Sequence, residues 1–213
     1  MRDEARDNSA SRPAGGLRTA RGEEMRARLL SAAAEAFAER GYAATRVQDI
    51  TKLAECSHGN FYWHFSDKDD VLIAVLRPAL TEVFRASKSH RGSGRDGLEA
   101  FTANIESYLT AYAAHRGLLT VIREAAAQRG SSRFFSMWME ERARFIDRTS
   151  TWLGKFGQLA PGVDPKTAAE LLGAMVEQIA YTRIGCAADE PTADTISHLA
   201  RQAALIWHRG TFG

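Results

Sequence analysis

Between Gly41 and Ser66 the chain places helix-opening residues so close together that only short helices fit between them. Thr45, with Gln48 three residues on, reads as a capping box, and Ser57 reads as the cap of a further helix. Ser66, matched by Asp69, opens the next. The first interval holds a helix of about two turns and a tight turn, with Val47, Ile50 and Ala54 on one face. The second, "CSHGNFYWHF", holds a helix whose inner side carries Phe61 and Phe65. Two short helices meeting at a tight turn behind a longer one make a helix-turn-helix.

The flanks are helical as well. From Glu23, apolar residues Met25, Leu29, Ala32, Ala33, Ala36 and Phe37 recur at three- and four-residue steps, and Gly41 closes the segment. A fourth helix is predicted over 67–88, with Pro78 inside it and a kink expected there. The stretch 89–97, "SHRGSGRDG", reads as a linker. Beyond it 98–114, 117–127, 133–156, 165–186 and 192–209 read as helices, and no segment alternates as a strand would. The expected fold is all-α, about nine helices. A disordered arm over 1–21 precedes a three-helix helix-turn-helix domain over 22–70. Helix 4 joins that head to a helical bundle over 71–213.

Charge does not announce a partner. The net charge is +2, and residues 1–90 carry 14 Lys and Arg against 13 Asp and Glu, so a nucleic-acid partner must be recognised by where charge sits. Cys56 and Cys186 lie far apart, which fits neither a disulfide framework nor a zinc module. No apolar run approaches the roughly 18 residues of a membrane span, and the N-terminal arginines lack a hydrophobic segment after them. A soluble, cytoplasmic protein is expected, without cofactor or metal and without membrane contact. No nucleophile–base pair, ligand cluster or phosphate loop supports an enzyme. His58 and His64 stand on different faces of their helix, and no Cys or carboxylate completes a metal site with them.

With Phe61 and Phe65 inward, the outer side of the third helix carries His58, Gly59, Asn60, Tyr62 and His64. Asn pairs bidentately with adenine, and His donates to guanine acceptors or phosphate. Gly59 lets backbone approach a groove, and Tyr62 offers a ring and a hydroxyl. Backbone N–H groups at Thr45 and Ser57 suit phosphate oxygens. Lys68 is a cation at a helix N-terminus, where the helix dipole disfavours it and a nearby phosphate would justify it. Trp63 either packs on the fourth helix, lies at the domain edge or joins the outer face. Cys56 reads as a small buried residue.

The segment from Gly41 to Leu76 resembles the DNA-binding domain of the TetR family of bacterial transcriptional regulators. Gly41, Tyr42, Thr45, Val47, Ile50, Ser57, Gly59, Phe61, Tyr62, His64, Phe65 and Lys68 stand in that family's register. The resemblance implies a DNA surface made of Thr45, Arg46, Ser57, His58, Gly59, Asn60, Tyr62, Trp63, His64 and Lys68. Glu55 departs from the pattern, because the family usually has Gly in the turn. A non-Gly residue in a left-handed turn costs roughly 1 kcal/mol. Its carboxylate is expected to point toward Lys52 or solvent.

The resemblance further implies a homodimer on double-stranded, pseudo-palindromic DNA, and a repressor released by a small hydrophobic effector. Candidate walls of an effector site are Phe101, Ile105, Tyr108, Tyr112, Leu119, Ile122, Trp138, Met175 and Tyr181, with Glu124, Gln178 and Thr182 as polar anchors. Apolar stripes on the last two helices, Leu171, Leu172, Met175 and Ile179 with Ile196, Leu199, Ala203 and Ile206, are the candidate dimer interface.

Overall fold

The periodic segment from Glu23 becomes the inner face of a long first helix. In a computed structural model that describes residues 14–86, 97–127, 133–156 and 159–213, α1 spans Ala14–Ala44. Its first turns lie inside the stretch expected to be a disordered arm, and residues 1–13 fall outside the described part. Leu29, Ala32, Ala33, Ala36 and Phe37 are buried. The helix breaks at Gly41, whose φ of 74° lies in the left-handed region that closes helices.

The head then follows as α2 (Val47–Leu53), α3 (His58–His64) and α4 (Lys68–Ala86). Ile50, Phe61, Phe65, Val71 and Leu72 pack against Leu29 and Phe37. Pro78 sits exposed within α4, which continues through it. Buried Leu76, Ala79, Leu80 and Val83 carry the same core along α4 into the bundle. The linker expected over 89–97 lies outside the described residues except for Gly97, which opens α5.

The bundle comprises α5 (Gly97–Ala114), α6 (Arg116–Leu119), α7 (Val121–Ala127), α8 (Arg133–Phe156), α9 (Pro165–Ala180) and α10 (Ala193–Phe212). A π-helical turn, Tyr181–Gly185, follows α9. The chain is all-α, with no strand among the described residues. Asp164 caps α9 by accepting from the Thr167 amide at 2.8 Å, and Thr192 caps α10. Those hydrogen bonds from Thr167 hold the Asp164 carboxyl below its ordinary range. α10 packs along α5, and Phe101 meets Trp207 and Trp152 at ring distances of 4.2 and 4.7 Å. Trp207 donates to the Ala168 carbonyl of α9.

Two helices are shorter than their periodicity predicts. The segment 117–127 divides at Thr120, whose hydroxyl bonds back to the Gly117 carbonyl at 3.0 Å. The segment 165–186 changes pitch at Tyr181, where the Cys186 amide reaches five residues back to the Tyr181 carbonyl at 2.9 Å. Gly185 permits this close approach, since a Cβ there would lie 2.7 Å from the Thr120 methyl. The interface stripes also need correction. Leu172, Ile196 and Ala203 are buried within the chain itself, because α9 and α10 pack against α5 and α8. Met175, Ile179 and Leu199 are half-buried, while Leu171 and Ile206 stand 63% and 65% exposed.

Candidate nucleic-acid interface

Helix α3 is fixed from below. Ser57 caps it, its hydroxyl accepting from the Asn60 amide at 3.2 Å. Phe61 and Phe65 are fully buried, with rings 5.8 Å apart, and Tyr62 stands edge-on to Phe61. This rotation leaves His58, Gly59, Asn60, Tyr62 and Trp63 facing outward. Trp63 is 77% exposed. It lies beside α1, near Gly22, and meets His64 edge-on at 4.9 Å. Its neighbour is therefore the first helix, not the fourth. His64 is half-buried, and burial together with the Arg26 guanidinium lowers its pKa, so the ring is neutral at pH 7.

The entrance to α2 differs from the sequence expectation. Its N-cap is Arg46, whose amide donates to Asp49 Oδ2 at 2.8 Å, and Asp49 also pairs with Arg40 at 2.9 Å. Thr45 is 1% exposed, and its hydroxyl donates toward the Gly41 and Ala36 carbonyls at 2.6 and 3.1 Å. It fastens the end of α1, and its side chain is closed to a phosphate. The neighbouring Arg46 side chain is the one that reaches solvent.

Lys68 has a similar structural use. Its ammonium donates to the Tyr42 and Thr45 carbonyls at 2.7 and 3.0 Å and lies 4.1 Å from the Tyr42 ring centre. The carbonyls that follow α1 thus supply the negative partner for which the sequence suggested a phosphate. Burial lowers the Lys68 pKa, against the pull of Asp69 and Glu124. The cap of α4 is correspondingly rearranged. Asp70 accepts from the Ser66 amide, Asp67 accepts from the Asp70 amide, and Asp69 turns away to the Tyr42 hydroxyl.

Glu55 occupies the tight turn with φ 49°, in the left-handed region where the family resemblance expects Gly. Its carboxylate is 86% exposed and lies 4.0 Å from Arg28, not Lys52. Arg28 also donates to the Ala54 carbonyl, bracing the turn from α1. Cys56 is half-buried against the core, and burial pushes its thiol pKa up.

Two contacts fasten this head to the bundle. Glu124 of α7, which the sequence suggested as an effector anchor, accepts from the Tyr42 and Ala43 amides at 2.8 Å each. A Cβ at Gly41 would overlap that carboxylate. Arg133, at the start of α8, pairs with Asp67 at 2.8 Å and reaches Ser66, while its amide donates to Asp69. Neither clamp has a local sequence signature.

The other effector candidates divide between two cavities. Phe101, Ile105 and Tyr108 line one of about 50 Å³. Tyr108, Tyr112, Leu119, Ile122, Trp138 and Tyr181 line a second of about 190 Å³. Gln178 instead takes the Arg123 guanidinium, Thr182 bonds back to the Gln178 carbonyl, and Met175 lines neither cavity. Sequence reading missed Glu177, which lines both. The signal was present, for Glu177 falls in the apolar stripe Leu172–Val176–Ala180 of α9, where a carboxylate is out of place. No helix among the described residues is long and apolar enough to cross a membrane.

Comparison with known proteins agrees with this geometry. Residues 29–75 match the model for bacterial regulatory proteins of the tetR family. The transcriptional repressor KstR2 of Rhodococcus jostii (strain RHA1) is 27% identical over 153 residues, covering 69% of this chain and 74% of that protein. Mycobacterial transcriptional regulators are 43% identical over 63 residues, and there the chain spans only 34% of their length. Among solved structures, NalD, the secondary repressor of the MexAB-OprM multidrug efflux pump in Pseudomonas aeruginosa, superposes with a TM-score of 0.70 at 20% identity, covering 90% of this chain and 98% of that one. SmeT in complex with triclosan superposes with a TM-score of 0.69 at 22% identity, covering 89% and 92%. At these identities the structural likeness speaks to fold.

Proposed function

Since the chain belongs to the TetR family of bacterial transcriptional regulators, a DNA-binding family with repressors among its members, we propose that it is an effector-responsive repressor acting as a homodimer. Each protomer sets α3 into the major groove of one half of a pseudo-palindromic operator, the two halves about one helical turn apart. His58, Gly59 and Asn60 read base edges, Tyr62 and Trp63 flank them, and Arg46 reaches a phosphate.

The observation that carries this reading is the way α3 is held. Two buried phenylalanines and a serine cap fix a helix whose outer side is polar and aromatic, and whose His58, Asn60 and Tyr62 side chains make no hydrogen bond or ion pair among the described residues. A helix docking on another protein would present a more apolar face. Exposed Leu171 and Ile206, on α9 and α10, support a two-fold contact between copies.

Control follows from the clamps. α7 turns Ile122 and Arg123 toward the larger cavity and Glu124 toward the end of α1. A small apolar effector seated there acts on the same short helix that grips the head. Whatever it changes in DNA affinity, DNA must change in its affinity by the same factor.

The test is fluorescence anisotropy with DNA from upstream of the protein's own gene, at two salt concentrations, with Tyr62→Ala beside wild type. Salt-sensitive binding that resists random competitor and is lost in the variant is expected. Equal affinity for that DNA and random DNA, followed by no enriched fragment in a genome-wide selection, would defeat the reading.

A further inference from the structure

The two cavities share two walls, and those walls define a chemistry. Tyr108 of α5 and Glu177 of α9 line both, separating a chamber of about 50 Å³ from one of about 190 Å³. Everything around them is predominantly apolar and aromatic: Phe84, Phe145 and Trp152 on one side, Ile122, Trp138 and Tyr181 on the other. The larger chamber has the size that receives a substituted single ring, since a dry cavity of about 150 Å³ admits benzene.

Tyr108 is 9% exposed, and its hydroxyl, accessible at the cavity wall, makes no hydrogen bond among the described residues. A phenol hydroxyl on an apolar cavity wall without a partner in the chain is free to bond a ligand. Glu177 beside it is 28% exposed and pairs with Arg142 at 3.5 Å. Its burial raises its pKa, opposed by Arg142 and Arg123, and burial first and the Glu177 charge second raise that of Tyr108. The two cations that act on Glu177 already have partners. Arg142 faces Glu177, and Arg123 donates to Gln178 and lies 4.3 Å from the Tyr181 ring centre.

An ionised carboxylate only accepts, and the free Tyr108 hydroxyl has a proton to donate. A single hydroxyl between them satisfies both, donating to Glu177 and accepting from Tyr108. A ligand carboxylate would set a second negative charge beside Glu177 in a site of low dielectric, where Arg142 and Arg123 are already engaged. An all-hydrocarbon ligand would leave the Tyr108 proton unpaired.

We propose that the effector is a neutral ring compound carrying a hydroxyl, a phenol or a ring alcohol, held at that hydroxyl between Tyr108 and Glu177. The proposal rests on the reading of the chain as an effector-responsive regulator, and it names the class of molecule that the regulator senses.

The probes are 4-propylphenol, propylbenzene and 4-propylbenzoate, titrated into the full-length protein by calorimetry, with the fluorescence of the wall residue Trp138 as a second signal. The phenol is expected to bind about tenfold more tightly than the hydrocarbon, and the benzoate more weakly than both. Tyr108→Phe should lose that tenfold preference while binding propylbenzene unchanged, which also shows that the variant is folded. Glu177→Gln should narrow the gap between phenol and benzoate. Equal or tighter binding of the benzoate, a preference unaltered in Tyr108→Phe, or no binding of any probe would overturn the proposal. Operator affinity is measured separately. A phenol that binds as described yet leaves DNA affinity unchanged would defeat effector control and leave the site chemistry standing.

Discussion

Glu124 holds Tyr42 across the boundary between the head and the bundle, its carboxylate taking the Tyr42 amide at 2.8 Å while its other oxygen takes that of Ala43. The tyrosine is held from three further directions. Lys68 donates to its carbonyl and covers its ring, and Asp69 accepts from its hydroxyl. One residue after the break in α1 therefore gathers α1, α4 and α7.

That arrangement predicts coupled energetics at Gly41. Gly41→Ala forces a side chain into φ 74° and against the Glu124 carboxylate, and is expected to cost about 1–3 kcal/mol. Glu124→Ala leaves two amides without their acceptor, at about 1–2 kcal/mol. The double variant should be less destabilised than the sum, because the alanine at 41 no longer meets a carboxylate. Urea denaturation of the four proteins measures the coupling, and strict additivity would refute it.

Lys68 and Arg46 are expected to separate by salt dependence. Arg46 is exposed at the mouth of α2, so Arg46→Ala should reduce the slope of log affinity against log salt by about one. Lys68→Ala removes a cation already engaged by two carbonyls. It should lower the melting temperature and leave the slope near its wild-type value. A loss of slope in Lys68→Ala would return that lysine to the DNA surface.

Replacing Glu55 by Gly should stabilise the protein. The left-handed φ of 49° costs a non-Gly residue roughly 1 kcal/mol, offset in part by the greater freedom of an unfolded Gly. The Arg28 pair lost with it is long and exposed, and contributes little. A denaturation midpoint equal to or below that of wild type would contradict this.

DNA affinity should rise as pH falls from about 8 toward 6, in part through His64. Its pKa in the free protein lies below the ordinary 6.5, through burial first and Arg26 second, so at neutral pH the ring is uncharged. Phosphates favour the charged ring, so binding takes up a proton and strengthens until the free protein is itself protonated. The folding equilibrium has the opposite sign, since the fold prefers the neutral ring and stability falls as pH drops below about 6.5. His64→Gln should flatten both profiles, which anisotropy and thermal melts at several pH values can check.

The head was legible because its determinants are local. Ser57, Phe61, Phe65 and Gly41 each act within one or two helical turns, where caps and periodicity are written. Lys68 and Glu124 misled because their partners are remote: Lys68 reaches back 26 residues to Tyr42, and Glu124 reaches back 82, whereas Thr45 bonds back only four residues to Gly41 and not forward into α2. A polar residue near a functional surface looks the same in sequence whether it faces DNA or a neighbouring carbonyl. The stripes on α9 and α10 show the same limit. Apolar spacing marked Leu172, Ile196 and Ala203 as covered, without saying that α5 and α8 do the covering.

The π turn at Tyr181–Gly185 bears on how this chain is compared with its relatives. Each such turn holds one residue more than an α turn between donor and acceptor. Deleting that additional residue would restore α geometry and leave the chain beyond it in nearly the same register, because the wider turn absorbs the extra residue within one turn. The carbonyls of Ala187 and Asp189, which take the Arg116 guanidinium at 3.5 and 2.8 Å, would keep their place against α6. A relative one residue shorter at this point is therefore aligned by a gap inside the turn, and it can tie α6 to the end of α9 through the same backbone atoms.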